Sequence, residues 1–244
     1  MFYIIGIGLV PEQLTLEAKN AIKDCKEVYI DNYTNIFSKG ELLSLEKIIT
    51  KKIITLNRTE LEQEKKFLKK DSCLLVIGNV LSATTHYSLY QEAKSKNIKI
   101  KVIPGISIFN YRAHSGLYEY KFGKTVSIVY PEKNYFPTSF YDVILDNLKI
   151  KAHTFCLLDI KVLENRFMSV YEACEILEKI DEKKILENLN CLALVRMGCD
   201  EQKIIGFTFK DYKKLKIKEF PQTMIVCGEL NDFERVAIDE HRIN

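Results

Sequence analysis

The sequence predicts an α/β protein made of two α/β domains. Short apolar runs alternate with stretches of helical period through the first half of the chain. The runs are continuous rather than alternating, as in a parallel sheet covered on both faces. A second series of runs begins after Phe122-Gly123. The expected division is an N-terminal domain at 1–112, a connection at 113–122 and a C-terminal domain at 123–244.

In order, Phe2–Ile7 reads as the first strand and Thr15–Cys25 as a helix, with Thr15 as N-cap and Ala18, Ala21 and Ile22 facing inward. Strand Glu27–Ile30 leads through a polar segment to a charged helix at Glu60–Lys69. Strand Cys73–Ile77, helix Thr84–Lys96 and strand Ile98–Ile103 follow. In the second half, strand Thr125–Tyr130 meets a turn-rich segment, then helix Phe140–Leu148 and strand His153–Leu158. Helix Val170–Ile180 places Val170, Cys174 and Leu177 on one face. Strand Cys191–Val195, a strand at Lys203–Phe209, a lysine-rich helix and strand Met224–Cys227 complete the series.

Composition narrows the function. The 36 basic and 33 acidic residues nearly cancel, which argues against a nucleic-acid binder. Seven cysteines without a C-x-x-C pair read as reduced thiols of a cytoplasmic protein. Four scattered histidines show no metal-ligand spacing, so no metal is expected. No run reaches the roughly 18 apolar residues of a membrane span, and no membrane partner is expected.

Two segments have the chemistry of a ligand site. Gly78-Asn-Val-Leu-Ser-Ala-Thr-Thr-His86 joins an apolar strand to a helix. Backbone N–H groups at such a strand end are available to a ligand. Gly6-Ile-Gly8-Leu-Val-Pro11 resembles the first turn of a dinucleotide-binding unit, with Asp31 as the acidic residue ending the second strand. Pro11 stands where the third glycine would be, and a ligand-free β-to-α turn fits equally well.

Gly6-Ile-Gly8, the Gly-x-x-x-Ser-Ala-Thr loop and Val102-Ile-Pro-Gly-Ile-Ser107 together resemble the tetrapyrrole-methylase fold class. Within it the chain is similar to the diphthine synthase family, through Tyr29-Ile-Asp-Asn-Tyr-Thr34, Glu60-Leu-Glu-Gln-Glu64 and Ala83-Thr-Thr-His86. The series continues in Gly116-Leu-Tyr118, Tyr120–Ser127, Ser139-Phe-Tyr-Asp142, His153–Lys161, Arg196-Met-Gly198 and Asp200–Lys203. The resemblance implies two tetrapyrrole-methylase-type domains with the cofactor cleft between them. It implies methylation of the amino group of a modified histidine, the diphthamide precursor, on translation elongation factor 2. S-adenosyl-L-methionine is the implied donor, S-adenosyl-L-homocysteine the product, and the enzyme a homodimer. A sulfonium methyl is already activated, so alignment and desolvation are the protein's main tasks. No residue is assigned a catalytic role.

The resemblance implies cofactor contacts at Leu9, Asn79, Ser82, Ser107, Ile108, Leu158, Met197 and Gln222. Without the resemblance, Leu9, Ile108, Leu158 and Met197 read as core, and Ser82 and Ser107 read equally as helix caps. Thr84, Thr85 and His86 are candidates for the acceptor side, although His86 also reads as a structural hydrogen-bonding group. Asp159, Lys161 and Arg196 suit an acceptor bearing an amine and a carboxylate, or form ordinary ion pairs. Three positions depart from the family pattern. Asn79-Val80 replaces Asp-Pro, which removes a charge and a fixed φ, and Gln222 replaces a histidine. Two alternatives follow: a methylase of this fold acting on a tetrapyrrole or RNA, or a non-catalytic protein that has lost donor binding.

Overall fold

The computed structural model describes residues 1–31, 39–84, 86–133 and 135–242, excluding the side chains of Lys39 and Leu163. The chain divides into two compact units, Met1–Asn110 and Tyr111–Asn244. The segment 113–122, expected as a connection, falls within the second.

The first unit contains β1 (Phe2–Gly6), α1 (Leu16–Lys23), β2 (Glu27–Asp31), α2 (Lys39–Ile49), β3 (Ile54–Leu56), β4 (Ser72–Val76), α3 (Tyr87–Ser95) and β5 (Ile100–Ile103). All its strand pairings are parallel, in the order β3-β2-β4-β1-β5. Both sheet faces are apolar because alternate strand residues point to opposite sides. Ile5, Val28, Ile30, Cys73 and Leu75 pack with Ala18 and Ile22 of α1 and Leu45 of α2. Phe2, Ile4, Tyr29, Leu74 and Val76 pack with Leu89 and Ala93 of α3 and with Phe67.

This order places a switch point between β1 and β4. From β1 the chain returns on one side of the pair, through α1 to β2. From β4 it returns on the other, through α3 to β5. The turns after β1 and β4 therefore diverge at the carboxyl edge, where open α/β sheets bind ligands.

The second unit contains β6 (Val126–Ile128), α4 (Ser139–Lys149), β7 (Thr154–Leu158), the hairpin strands β8 (Ile160–Lys161) and β9 (Arg166–Phe167), α5 (Val170–Ile180), β10 (Asn190–Val195), β11 (Lys203–Thr208), β12 (Gln222–Val226) and α6 (Asp232–Glu240). Its main sheet runs β11-β10-β12-β7-β6 and is antiparallel except where β6 joins β7. Ser169 and Glu172 form a capping box that starts α5, and Asn231 and Glu234 do the same for α6.

Three expected helices differ. At Glu60–Glu64 there is only a five-residue wide turn, stopped by Lys65 at φ +48°. The lysine-rich segment is a short 3-10 turn, Phe209–Lys214. The helix expected from Thr84 starts at Tyr87, because Ala83 takes φ +54° and keeps the approach open.

Candidate functional site

The carboxyl edge of the first unit is built around glycine. Gly8 (φ +84°) and Gly78 (φ +81°) form an isolated bridge. Gly78 N donates to Gly8 O at 2.8 Å, and Gly8 N to Gly78 O at 3.3 Å. The turn after β5 closes on them. A Cβ on Gly105 would lie 2.4 Å from Gly78 O, and one on Gly6 would lie 2.5 Å from Gly105 N. Backbone occupies both positions, so no side chain fits. At Gly78 a Cβ would not clash but would make ordinary contacts, with Ser107 Cβ at 3.8 Å and Leu9 Cδ2 at 3.9 Å. Leu9, Gly78 and Ser107 thus share one corner, which backbone can line closely.

Asn79 joins two of these turns. Its Oδ1 accepts from Gly105 N at 3.3 Å, and its Nδ2 donates to Ser82 Oγ at 2.8 Å. Ser82 N also donates to Asn79 O at 3.2 Å. Ser82 therefore closes a turn with Asn79; α3 begins five residues later and is not capped by it. Ser107 Oγ accepts from Phe109 N at 3.3 Å and Ser107 N donates to Asn110 Oδ1 at 2.9 Å, which starts the 3-10 turn Ile108–Ser115. Ile108 is half-buried there. Gln13, which sequence reasoning passed over, fixes the first turn: its Oε1 accepts from Leu9 N at 2.8 Å.

Beside this corner lies a second polar group. Asp31 ends β2 and is 1% exposed, and His86 precedes α3 and is 4% exposed. His86 Nε2 lies 3.1 Å from Asp31 Oδ2. Its Nδ1 bonds Thr84 Oγ1, and its backbone N donates to the same oxygen at 3.1 Å. Asp31, the acidic residue marked at the end of the second strand, holds His86. Thr85 lies outside the described residues.

In the second unit, Leu158 ends β7 and Met197 follows β10; both are buried. Gln222 starts β12 opposite Val195. Its amide has two partners: Oε1 accepts from Val170 N at 2.8 Å, and Nε2 donates to Glu219 O at 2.9 Å. Asp159 accepts from Tyr130 N at 3.1 Å. Lys161 lies 3.6 Å from Glu132 and 3.8 Å from Glu164, and Arg196 lies 3.7 Å from Glu201. The Tyr130 ring carries the Arg166 guanidinium at 3.5 Å, and its hydroxyl, held by burial and by Glu172, is pushed up to about 12. Among the described residues, no group of three or more His, Cys, Asp or Glu could hold a metal ion.

A model of the tetrapyrrole (corrin/porphyrin) methylases matches residues 1–212. A diphthine synthase of Staphylothermus marinus is 38% identical over 96% of this chain and 91% of its own. The chain belongs to the diphthine synthase family of tetrapyrrole methylases. A diphthine methyl ester synthase of Kluyveromyces lactis is 35% identical over 93% of this chain and 85% of its own. A crystal structure assigned to diphthine synthase of Entamoeba histolytica superposes with TM-score 0.89 at 31% identity, covering 100% of this chain and 99% of that one.

Two positions that the resemblance marks as departures, Asn79 and Val80, are held by local contacts. Val80 is fully buried among Leu74, Val76 and Leu89, so packing holds the loop where a proline ring would restrict it. Asn79 uses both ends of its amide, and a carboxylate could reproduce only the accepting half without a turn of the Ser82 hydroxyl.

Proposed function

We propose that this methyltransferase transfers methyl groups from S-adenosyl-L-methionine to the amino group of the modified histidine of translation elongation factor 2. The observation that carries the reading is the glycine corner at the switch point, on a chain that shares 38% identity with a diphthine synthase over nearly its whole length. When bound, the donor supplies a methyl group already activated on a sulfonium. Gly78, at φ +81°, keeps the loop without a Cβ beside Leu9 and Ser107; Leu9 offers an apolar wall, and Asn79, Ser82 and Ser107 offer polar atoms. Ile108, Leu158, Met197 and Gln222 complete the proposed donor contacts. Thr84, Thr85, His86, Asp159, Lys161 and Arg196 serve the acceptor.

The enzyme works as a homodimer in the cytoplasm. Free cysteines that are buried, Cys199 being the partly exposed one, agree with a reducing compartment. Among the described residues, no helix is long and apolar enough to cross a membrane. Light scattering on the purified protein tests the dimer.

The decisive experiment incubates the protein with donor and with elongation factor carrying the unmethylated precursor, followed by mass spectrometry of the factor. Added methyl mass supports the reading. Donor binding without transfer to the factor, but with transfer to a tetrapyrrole or RNA, overturns it. The relative named for a methyl ester product favours a second reading, in which a carboxylate is methylated as well. Mild base removes an ester methyl and leaves methyl on nitrogen, so the same sample separates the two.

A further inference from the structure

The carboxyl edge of the first unit holds a hydroxyl, an imidazole and a carboxylate bonded in a line, formed by Thr84, His86 and Asp31. The residues come from different elements. Asp31 ends β2, whereas Thr84 and His86 lie on the approach from β4 to α3, and β2 pairs with β4. Two of the three are almost fully buried, and Thr84 is half-buried. One end of the line therefore reaches the surface of the proposed acceptor loop and the other is shielded from water.

Bonding assigns the protons. An ionised carboxylate only accepts, so the imidazole proton facing Asp31 sits on Nε2. With the single ring proton on Nε2, Nδ1 is an acceptor, so the Thr84 hydroxyl donates to it while its oxygen accepts from the His86 backbone N–H. In the neutral ring, Nδ1 is then a base with a hydroxyl in front of it and a carboxylate behind. A side chain needed only to fill space has no use for this polarity. A buried carboxylate that orients an imidazole, which in turn receives a hydroxyl proton, is an arrangement that moves protons.

We propose that Thr84, His86 and Asp31 form the proton relay that makes the acceptor amine nucleophilic, an inference that rests on the functional reading above. The acceptor amine is held mainly as its ammonium form at pH 7, which has no lone pair to attack with. The relay supplies the missing base. As the ammonium proton passes to Thr84 Oγ1, the hydroxyl proton passes to His86 Nδ1, and the imidazolium is paired with the Asp31 carboxylate. The freed nitrogen lone pair forms the new N–C bond while the donor's C–S bond breaks, its electrons staying on sulfur. His86 returns its proton to water before the next methyl group. Thr84 is the residue that meets the amine; His86 and Asp31 act through it.

The test compares Thr84→Val, Thr84→Ser and His86→Gln with the wild-type enzyme, using elongation factor as acceptor. Thr84→Val keeps the shape and removes the proton path. His86→Gln keeps hydrogen-bonding atoms toward Asp31 and Thr84 but offers no basic nitrogen. General-base catalysis contributes roughly 10² to 10⁴-fold. Both variants should lose about 100-fold in kcat at pH 7 while donor Kd by calorimetry stays at the wild-type value; each gives up a buried hydrogen bond, so the melting temperature should fall by a few degrees with folding retained. The loss should shrink as pH rises, because more of the amine becomes neutral without help. Thr84→Ser should restore most of the rate. Nitrogen-15 NMR of the wild-type protein alone should show the Nε2-protonated tautomer of His86. Wild-type kcat in Thr84→Val, or an Nδ1-protonated His86, would overturn the relay while leaving the functional reading in place. A wild-type enzyme that binds donor but never methylates the factor would overturn the functional reading itself, and the relay with it.

Discussion

Gly6→Ala is the sharpest test of how the glycine corner is built. The new methyl would sit 2.5 Å from Gly105 N, 2.7 Å from Gly78 O and 2.9 Å from Gly105 Cα. All three neighbours are backbone, so no rotamer change relieves the clash, and the β5 turn must move away from β1. Overpacking of this kind costs about 1–3 kcal/mol, and three simultaneous backbone contacts place this case near 3 kcal/mol. Gly78→Ala is the control. Its φ of +81° is unfavourable for alanine, at about 1–2 kcal/mol, but its nearest new contacts are ordinary ones at 3.8–3.9 Å. Urea unfolding should therefore show Gly6→Ala as the more destabilised variant, with m-values unchanged in both. Calorimetry should show at least a tenfold weaker donor Kd for Gly6→Ala, because Ser107 and Asn79 move with the displaced turn. If Gly6→Ala unfolds no earlier than Gly78→Ala, the three turns are not in the contact described, and the corner cannot be a rigid donor cradle.

Asn79→Asp should tighten donor binding about tenfold if a carboxylate favours the donor's charged end, since one such charge-assisted bond adds about 1.4 kcal/mol or more; an unchanged Kd would remove that role. Asp181→Ala should destabilise the second unit by about 3 kcal/mol. The buried Asp181 carboxylate accepts from Tyr141 Oη at 2.7 Å, Ile185 N at 2.8 Å and Leu186 N at 2.7 Å, and loss of near-ultraviolet dichroism at lower urea is the readout. Acid stability should depend on Glu234. Burial alone would raise its carboxyl, but Lys121, the backbone N–H groups of Asn231 and Tyr118, and His153 outweigh this and bring it to about 2. A depressed carboxylate stabilises above its unfolded value of 4.5 and loses that contribution as pH falls from 4.5 towards 2, about 3 kcal/mol in all. Burial also lowers His153 below 6.5 despite Glu234, so its contribution is present above pH 6.5 and fades below it. Glu234→Gln should therefore flatten the stability curve below pH 4.5; a curve parallel to wild type would contradict the assignment.

The elements legible in the sequence were those whose local and tertiary signals agree. Helix α5 spans the expected Val170–Ile180 because a capping box opens it and its apolar stripe meets the sheet. The apolar strands were equally plain, since both faces of the first sheet are buried. Helix α6 went unread although Asn231 and Glu234 form a capping box, because Ile238 is its only buried apolar residue and the periodicity is weak. Helix α2 was hidden in what looked like a polar segment, yet Leu45 and Ile49 are buried beneath it. At Glu60–Lys69 the helix-forming charges had no apolar stripe to hold them; Phe67 and Leu68 enter the core after the chain has turned at Lys65.

The site follows the same division. Turns at Gly6, Gly8, Gly78 and Gly105 were marked by composition, but their mutual contact depends on strand order. The contact of Asp31 with His86 joins positions 55 residues apart and exists only because β2 lies beside β4 in parallel. That order also bears on the departures at Asn79 and Val80. A loop that has lost its proline and carboxylate is not thereby a loop that has lost its shape. Val80 anchors it from beneath, Asn79 ties it to the β5 turn, and His86 ties its far end to β2. Each tie reaches a different strand, so the loop is held on three sides. What the two substitutions change is the charge presented to the donor, not the geometry that presents it, and a weakened Kd with an intact kcat at saturating donor is the kinetic signature this argument requires.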